Sequence, residues 1–551
     1  MTLRRAAPEI MASPVFDYVI VGAGSAGCVL AERLSADGAR SVLVIEAGGS
    51  DRRFFVHMPL GYGKLFFDPA VNWAYLTEPD PGLGGRPDYW PRGKLLGGSS
   101  SINAMVWARG GREDYEDWGA AAGPHWGWEA AREAYREIED NEAGGDEWRG
   151  AGGPLFISAN RRDLHPLCDA FVAGAAAAGL PHNPDFNGAR QEGAGTYQMT
   201  IRGARRNSAA RAFLRPAMRR RNVTVWTGAQ ATRILFEGRR ATGIAFRRNG
   251  REGEARAARE VILAGGAVNS PQLLMLSGVG PAADLAANGV APLLDHPHVG
   301  RNMADHLGLN HTYRANAPTY NDELRPLLGK LRAGLRWLLF GTGPLAKSVN
   351  HGGGFFRTSP ERPRPNMQLY FQAFSTLVPR PGKRPLLTPD PFSGMSLGLS
   401  NARPWSRGEI GLAGPDPFAP PRIRAGAFAD GRDMEEMLAG ARFLRRLAAT
   451  APMRAVIAEE LRPGPAVESD EALIADIRER SGTVYHPCAT LRMGTDPESS
   501  VVDPDLRVRG LEGLRICDAS VFPNLIAGNT NAPSILVGWL GARRIRETER
   551  R

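Results

Sequence analysis

Three glycines spaced Gly22-x-Gly24-x-x-Gly27 close a short β-rich run, Phe16-Asp17-Tyr18-Val19-Ile20-Val21, and an acid, Glu46, ends the next apolar run. Each position has a physical task. Gly22 permits a tight turn, Gly24 lets the backbone approach a pyrophosphate, and Gly27 lets a helix pack closely on the strand. The helix that opens at Ser25 and Ala26 offers free N–H groups and a positive dipole end to phosphates. Glu46, with Ala47 beside it, is placed to accept hydrogen bonds from a ribose hydroxyl pair. Strand, glycines, helix, strand and acid in this register are the fingerprint of dinucleotide binding. By itself the unit does not choose between a nicotinamide and a flavin dinucleotide.

Other chemistry is weaker on residues alone. Gly394-Met-Ser396-Leu-Gly398 matches the nucleophile elbow of serine hydrolases, with Ser396 as nucleophile. An elbow needs a strand before it and a helix after it, and Pro391 and Pro404 leave little room for that helix. The segment reads as an alternating strand. Cys488 lies two residues from His486, yet no third orienting group for a Cys–His nucleophile is evident. Of the ten histidines, His296 and His298 fall in a Pro-rich turn, His125 sits beside Pro124, and His306 is expected to satisfy a structural hydrogen bond. The cysteines Cys28, Cys168, Cys488 and Cys517 form no C-x-x-C pair, which disfavours a zinc ribbon or a thioredoxin-like site.

The elements that must hold these groups follow from periodicity. Cys28–Ser35 reads as a helix with Val29, Leu30 and Leu34 on one face, broken at Gly38, and Ser41–Ile45 as a second strand. Thr224–Ile234 should hold another strand, and Glu260–Leu263 a further one running into Ala264-Gly265-Gly266. Pro271–Leu276 is expected to begin a helix with Ser270 as N-cap, and Ser534–Leu540 to be helical behind an Asn531 cap and Ala532-Pro533. Leu324–Phe340 mixes leucines with Lys330, Arg332 and Arg336. It is read chiefly as a core-packed helix with a basic outer face, and secondarily as a membrane-surface helix.

Composition sets the frame. The 551 residues are 43% hydrophobic and 23% charged, in the globular range. Lys+Arg 68 against Asp+Glu 58 gives a net charge of +10, but the arginines are scattered, so no nucleic-acid partner is expected. No apolar run is long enough to span a bilayer, and the sparse cysteines suit a reducing, cytoplasmic setting.

Six ordered segments then resemble the glucose–methanol–choline (GMC) flavoprotein oxidoreductases, most closely their choline dehydrogenase-like branch. They are the loop Arg92–Trp107, the stretch Gly266–Gly280, Val299–His306, Tyr485–Gly494, Cys517–Ser520 and Gly528–Pro533. The resemblance implies an α/β fold, with a Rossmann-like FAD-binding domain and a discontinuous substrate domain containing an antiparallel sheet. FAD-binding parts are expected at 14–154, 223–310 and 481–551, and substrate-domain parts at 155–222 and 311–480. It implies that Arg92, Gly98, Ser99, Asn103, Ala104, Met105 and Val106 run along FAD, that Ala231 meets the adenine side, that Asp518 holds the ribityl chain and Ala519 a phosphate, and that Asn531 and Ala532 meet the pyrimidine side. Some relatives attach FAD through a histidine where this chain has Ile102, so non-covalent FAD is expected. His486 is implied as the general base and Asn531 as its partner, for oxidation of an alcohol by hydride transfer to flavin N5. Candidate substrate contacts are Asn350, His351 and Tyr485. A choline-like, polyol or other primary alcohol and an acceptor such as O₂, a quinone or another carrier are the expected partners. The alternatives are a Ser396 hydrolase and a non-catalytic flavin-binding protein.

Overall fold

The computed structural model describes residues 13–159, 163–377 and 388–549. The strand Val15–Val21 is buried from Tyr18 on, and the apolar Val42–Glu46 is buried throughout, so both lie inside a sheet covered on two faces. They pair in parallel, Val21 opposite Ile45, and the sheet extends through Val223–Thr227 on one side and Arg251–Leu263 on the other. Arg251–Leu263 has two roles. Its first half pairs antiparallel with Arg240–Arg248, which pairs with Ala229–Glu237, while Val261–Leu263 pairs in parallel with Leu514–Ile516. A more charged and exposed first half and an apolar second half explain the division: one joins an antiparallel meander with one buried face, the other the centre of the core.

The helix Ser25–Leu34 lies beside the C-terminal helix Asn531–Glu549. A Cβ on Gly538 would sit 2.8 Å from the Ala26 carbonyl oxygen, so the close approach of the two helices depends on a glycine there. The expected helix at Pro271–Leu276 begins five residues earlier, as Gly266–Leu276 with Pro271 inside it. Proline leaves the Ala267 carbonyl without its intrahelical donor. The Thr490 hydroxyl supplies one at 2.8 Å, which is why the helix runs on. Ser270 is accordingly not a cap; its hydroxyl donates to Asp518 and accepts from the Gly265 N–H.

A second sheet is antiparallel, in the order Ile457–Arg462, Leu307–Ala315, Gly394–Asn401, Met367–Gln372, Gly352–Phe356, Gly193–Thr196. Helices Leu167–Ala177 and Gly431–Ala448 pack on it and on each other. Phe171 stacks on Phe371 with centroids 5.0 Å apart, and Gly440 lets Leu399 approach the second helix. Leu307–Ala315 lies wholly in this sheet, across 310/311, and Gly482–Thr483 pairs with it. Leu155–Ile157 instead pairs with Glu139–Asn141, and Ala209–Leu214 buries its apolar side against the first helix.

The leucine-rich helix, Leu327–Phe340, overturns its chief sequence reading. Ala333 and Trp337 are its buried residues, and the leucines face outward. Trp337 decides the orientation: its ring packs with Met58 and Ala346, and its indole N–H donates to the Ala204 carbonyl at 2.8 Å.

Candidate active site

A cavity of about 1730 Å³ runs between the two sheets. At one end the backbone does the work. Gly22 has φ +105°, and a Cβ there would lie 2.5 Å from the Ala264 carbonyl oxygen. Gly27 is closed in the same way, 2.0 Å from the Gly22 carbonyl oxygen, so it shapes the turn and does not line the cavity. Gly24 has its nearest neighbour at 3.7 Å and opens onto the cavity, and Gly98, φ +51°, rests against Gly24. The first turns of Ser25–Leu34 and Asn531–Glu549 both reach this wall, and the Ser25 hydroxyl ties them by donating to Asn531 Oδ1 at 2.8 Å. Two helix N-termini aimed at one place favour an anion there.

Glu46 lines the cavity beside Ala47 and accepts from the Ala23 and Gly48 N–H groups at 2.9 and 2.8 Å. Burial pushes its carboxyl up to about 7. Each oxygen keeps a further lone pair for a ligand hydroxyl. Asp518 is buried and raised by that burial, and its oxygens accept from Gly266 N–H, Ser270 Oγ and Ser520 N–H. It thereby locks the turn before Gly266–Leu276 to the turn at Ala519, and both residues line the cavity. Arg92, Ser99, Asn103, Ala104, Met105, Val106 and Ala231 also line it. Asn103 spends its amide oxygen on the Met105 N–H and on Arg206 Nη1, and Arg92 donates to the Tyr485 carbonyl at 2.6 Å. Ala532 is buried behind the wall and does not line the cavity.

At the other end stands His486. Its backbone N–H donates to Asp305 Oδ1 at 2.8 Å, and the other Asp305 oxygen accepts from the Thr483 hydroxyl. Burial pushes the Asp305 carboxyl up to about 7. The ring is held by a chain of bonds that also decides its tautomer. His306 Nε2 faces the Ala402 carbonyl at 3.1 Å, and a carbonyl only accepts, so that nitrogen carries the hydrogen. His306 Nδ1 is then an acceptor, and His486 Nδ1, 2.9 Å away, must donate to it. His486 Nε2 is left as the acceptor, its lone pair on the cavity side of the ring. Burial, with His306 and Arg92 adding to it, holds the His486 pKa well below its ordinary value, and burial pushes His306 down to about 4. Both imidazoles are neutral at pH 7.

The amide facing that lone pair belongs to Asn529, not to Asn531. Asn529 Nδ2 lies 3.1 Å from His486 Nε2, and Gln368 Nε2 donates to Asn529 Oδ1 at 3.2 Å, which turns the amide the right way round. Asn531, two residues on, is inside the helix and turned to Ser25. Asparagine at both ends of Asn529-Thr530-Asn531 left the sequence unable to separate them; only the turn before the helix points one at the histidine. Asn350 lines the cavity with its amide oxygen held by Gln372 at 2.6 Å, and Tyr485 lines it edge-on to Phe66. His351 does not line it. It is buried edge-to-face with Tyr320, and burial pushes its pKa down to about 3. Ser396 does face the cavity, but from the middle of a strand paired on both sides, with no turn and helix behind it. Cys488 is buried, and burial raises its thiol, so it offers no thiolate. Asp305, His306, Gln368 and Asn529 are the site residues that sequence reasoning missed or gave other roles. Among the described residues no cluster of His, Cys, Asp and Glu suits a metal ion.

A neutral imidazole with an amide donor beside it stands at one end of the cavity, and a glycine-lined turn with two helix N-termini at the other, an arrangement with room for a dinucleotide and a substrate together. Comparison with known proteins agrees. The GMC oxidoreductase profile matches residues 16–308 in its N-terminal part and 404–538 in its C-terminal part. The chain belongs to the GMC oxidoreductase family. It is 44% identical to the alcohol dehydrogenase [acceptor] of Pseudomonas putida over 95% of this chain and 94% of that one. It is 39% identical to the mitochondrial choline dehydrogenase of Homo sapiens over 95% and 88%. Its fold superposes on the crystal structure of pyridoxine 4-oxidase from Mesorbium loti with a TM-score of 0.86 at 32% identity, covering 96% of this chain and 99% of that one.

Proposed function

We propose that the protein is an FAD-dependent dehydrogenase or oxidase of alcohols, with His486 as general base and Asn529 as its hydrogen-bonding partner. The residues fit the cofactor. Glycines stand where a Cβ would close the cradle, two helix N-termini face the diphosphate position, and Glu46 keeps acceptor capacity for a ribose. Ile102 offers no atom for attachment, which supports FAD held without a covalent bond. Bound FAD supplies the acceptor for the hydride that leaves the alcohol carbon.

This chain's residues do the rest. The alcohol hydroxyl meets His486 Nε2, whose lone pair takes its proton, while the Asn529 N–H holds the oxygen as it gains charge. His306 keeps the hydrogen on His486 Nδ1, so Nε2 is the basic atom in every turnover. Burial keeps both rings neutral and ready. Asn350, Gln372 and Tyr485 surround the remainder of the substrate. The proton leaves the base as an electron acceptor, O₂, a quinone or another carrier, regenerates the enzyme.

The observation that carries this reading is the directed chain from the Ala402 carbonyl through His306 and His486 to Asn529. A hydrolase at Ser396 lacks the elbow, and a non-catalytic flavin protein has no use for such a chain. The test is His486→Ala: the purified variant stays yellow, and its flavin is no longer bleached by a panel of alcohols under anaerobic conditions. Parent-like bleaching rates in that variant would reject the base.

A further inference from the structure

The helix Leu327–Phe340 turns its most apolar face to water. Leu328 is 79% exposed, Leu331 56%, Leu335 58%, Leu338 61% and Leu339 68%. At 3.6 residues per turn these positions, with Leu327, fall on one arc of about 120°. That arc lies opposite Ala333 and Trp337, the two residues that anchor the helix to the body. Phe54, itself exposed, stands edge-on to Trp337 on the anchoring side, with centroids 5.4 Å apart. Large exposed apolar surface on one continuous face marks an interaction site.

The charges around the arc say what covers it. Arg332 and Lys330 flank the leucines, and neither forms an ion pair among the described residues. The helix carries no acidic residue, and Arg336 on its inner flank is bound to Glu323. A second copy of the chain meeting this face across a two-fold axis would set the same basic residues against each other, with no carboxylate on the helix to pair them. An anionic lipid surface complements both features at once. Its acyl boundary takes the leucines and its phosphates take Lys330 and Arg332. The helix has 14 residues, and none of the described helices is long and apolar enough to cross a bilayer, so it lies along the interface.

We propose that this helix docks the enzyme on an anionic bilayer, leucines below the headgroups and basic residues among them. The segment that anchors the helix, from Phe54 onward, also contributes Tyr62 and Phe66 to the cavity wall.

Full-length holoenzyme is floated with phosphatidylcholine vesicles, with and without phosphatidylglycerol. The parent floats with the anionic vesicles and is released by high salt. Leu331→Asp with Leu335→Asp, and separately Lys330→Glu with Arg332→Glu, each lower the bound fraction by more than about tenfold. Both double variants keep the parent's melting temperature, flavin content and flavin reduction rate. A parent that stays out of the anionic vesicles overturns the proposal, as does a leucine variant that floats like the parent. A parent dimer that becomes monomeric in the leucine variant overturns it too, since the face would then be an interface between copies.

Discussion

Asn529 and Asn531 differ by two positions in the chain and should differ by orders of magnitude in their effect on turnover. Asn529 Nδ2 is 3.1 Å from His486 Nε2 and fixed by Gln368, so it is aimed at the place where a substrate oxygen must meet the base. Removing one preorganised donor from an oxygen that gains charge costs about 10²–10³ in rate, or ~2.7–4 kcal/mol. Asn529→Ala should therefore slow anaerobic flavin reduction by that factor while the protein stays yellow. Asn531 makes a different bond, accepting from Ser25 at 2.8 Å between two helix ends. A neutral, partly buried bond of this kind is worth about 0.5–1.5 kcal/mol. Asn531→Ala should thus lower the melting temperature slightly and loosen FAD, with a reduction rate for the FAD-loaded fraction within about threefold of the parent. Stopped-flow absorbance under anaerobic conditions, with the flavin-to-protein ratio measured on the same samples, separates the two effects. The reasoning fails if Asn531→Ala carries the large loss of rate and Asn529→Ala reduces its flavin like the parent.

Three further outcomes follow from the same structure. Gly24→Leu has room in the protein but fills the cavity, so it should melt cooperatively as a colourless apoprotein. Gly27→Leu drives its side chain into the Gly22 carbonyl and should lose the fold of the whole turn, which circular dichroism would distinguish from simple loss of colour. Among the described residues His311 is buried with no hydrogen-bond partner for either ring nitrogen, and burial pushes its pKa from 6.5 down to about 3. Its folded value is depressed, so the unfolded chain gains a proton first as pH falls below 6.5, and stability drops with it. Between pH 7.5 and 5.5 this group alone costs the parent about 1.4 kcal/mol that His311→Leu does not lose. The gap in melting temperature between variant and parent should move toward the variant over that range, and a constant gap would contradict the assignment.

The dinucleotide unit was legible in the chain because local physics makes it. A strand, three glycines with distinct steric tasks and an acid at a strand tip are set by neighbours a few residues away: Gly22 turns at φ +105°, Gly24 opens onto the cavity and Glu46 lines it. The same holds for the strand at Gly394–Asn401, whose alternation and flanking prolines already spoke against a nucleophile elbow. Where sequence reasoning failed, the deciding contact came from far along the chain. The helix start at Gly266 depends on Asp518 and on Thr490, which satisfies the carbonyl that Pro271 abandons. The partner of His486 depends on Gln368, from a strand of the other sheet, and the tautomer of His486 depends on Ala402. His351 looked polar and available, yet the packing of Tyr320 closes it off. Periodicity showed that Leu327–Phe340 is a helix with an apolar face, but which way that face points was decided by Trp337 docking against Met58 and Ala204, both far earlier in the chain. Local sequence sets backbone conformation through sterics and short-range hydrogen bonds. Only the folded chain brings distant donors, acceptors and ring faces within the few ångströms at which they choose one geometry over another.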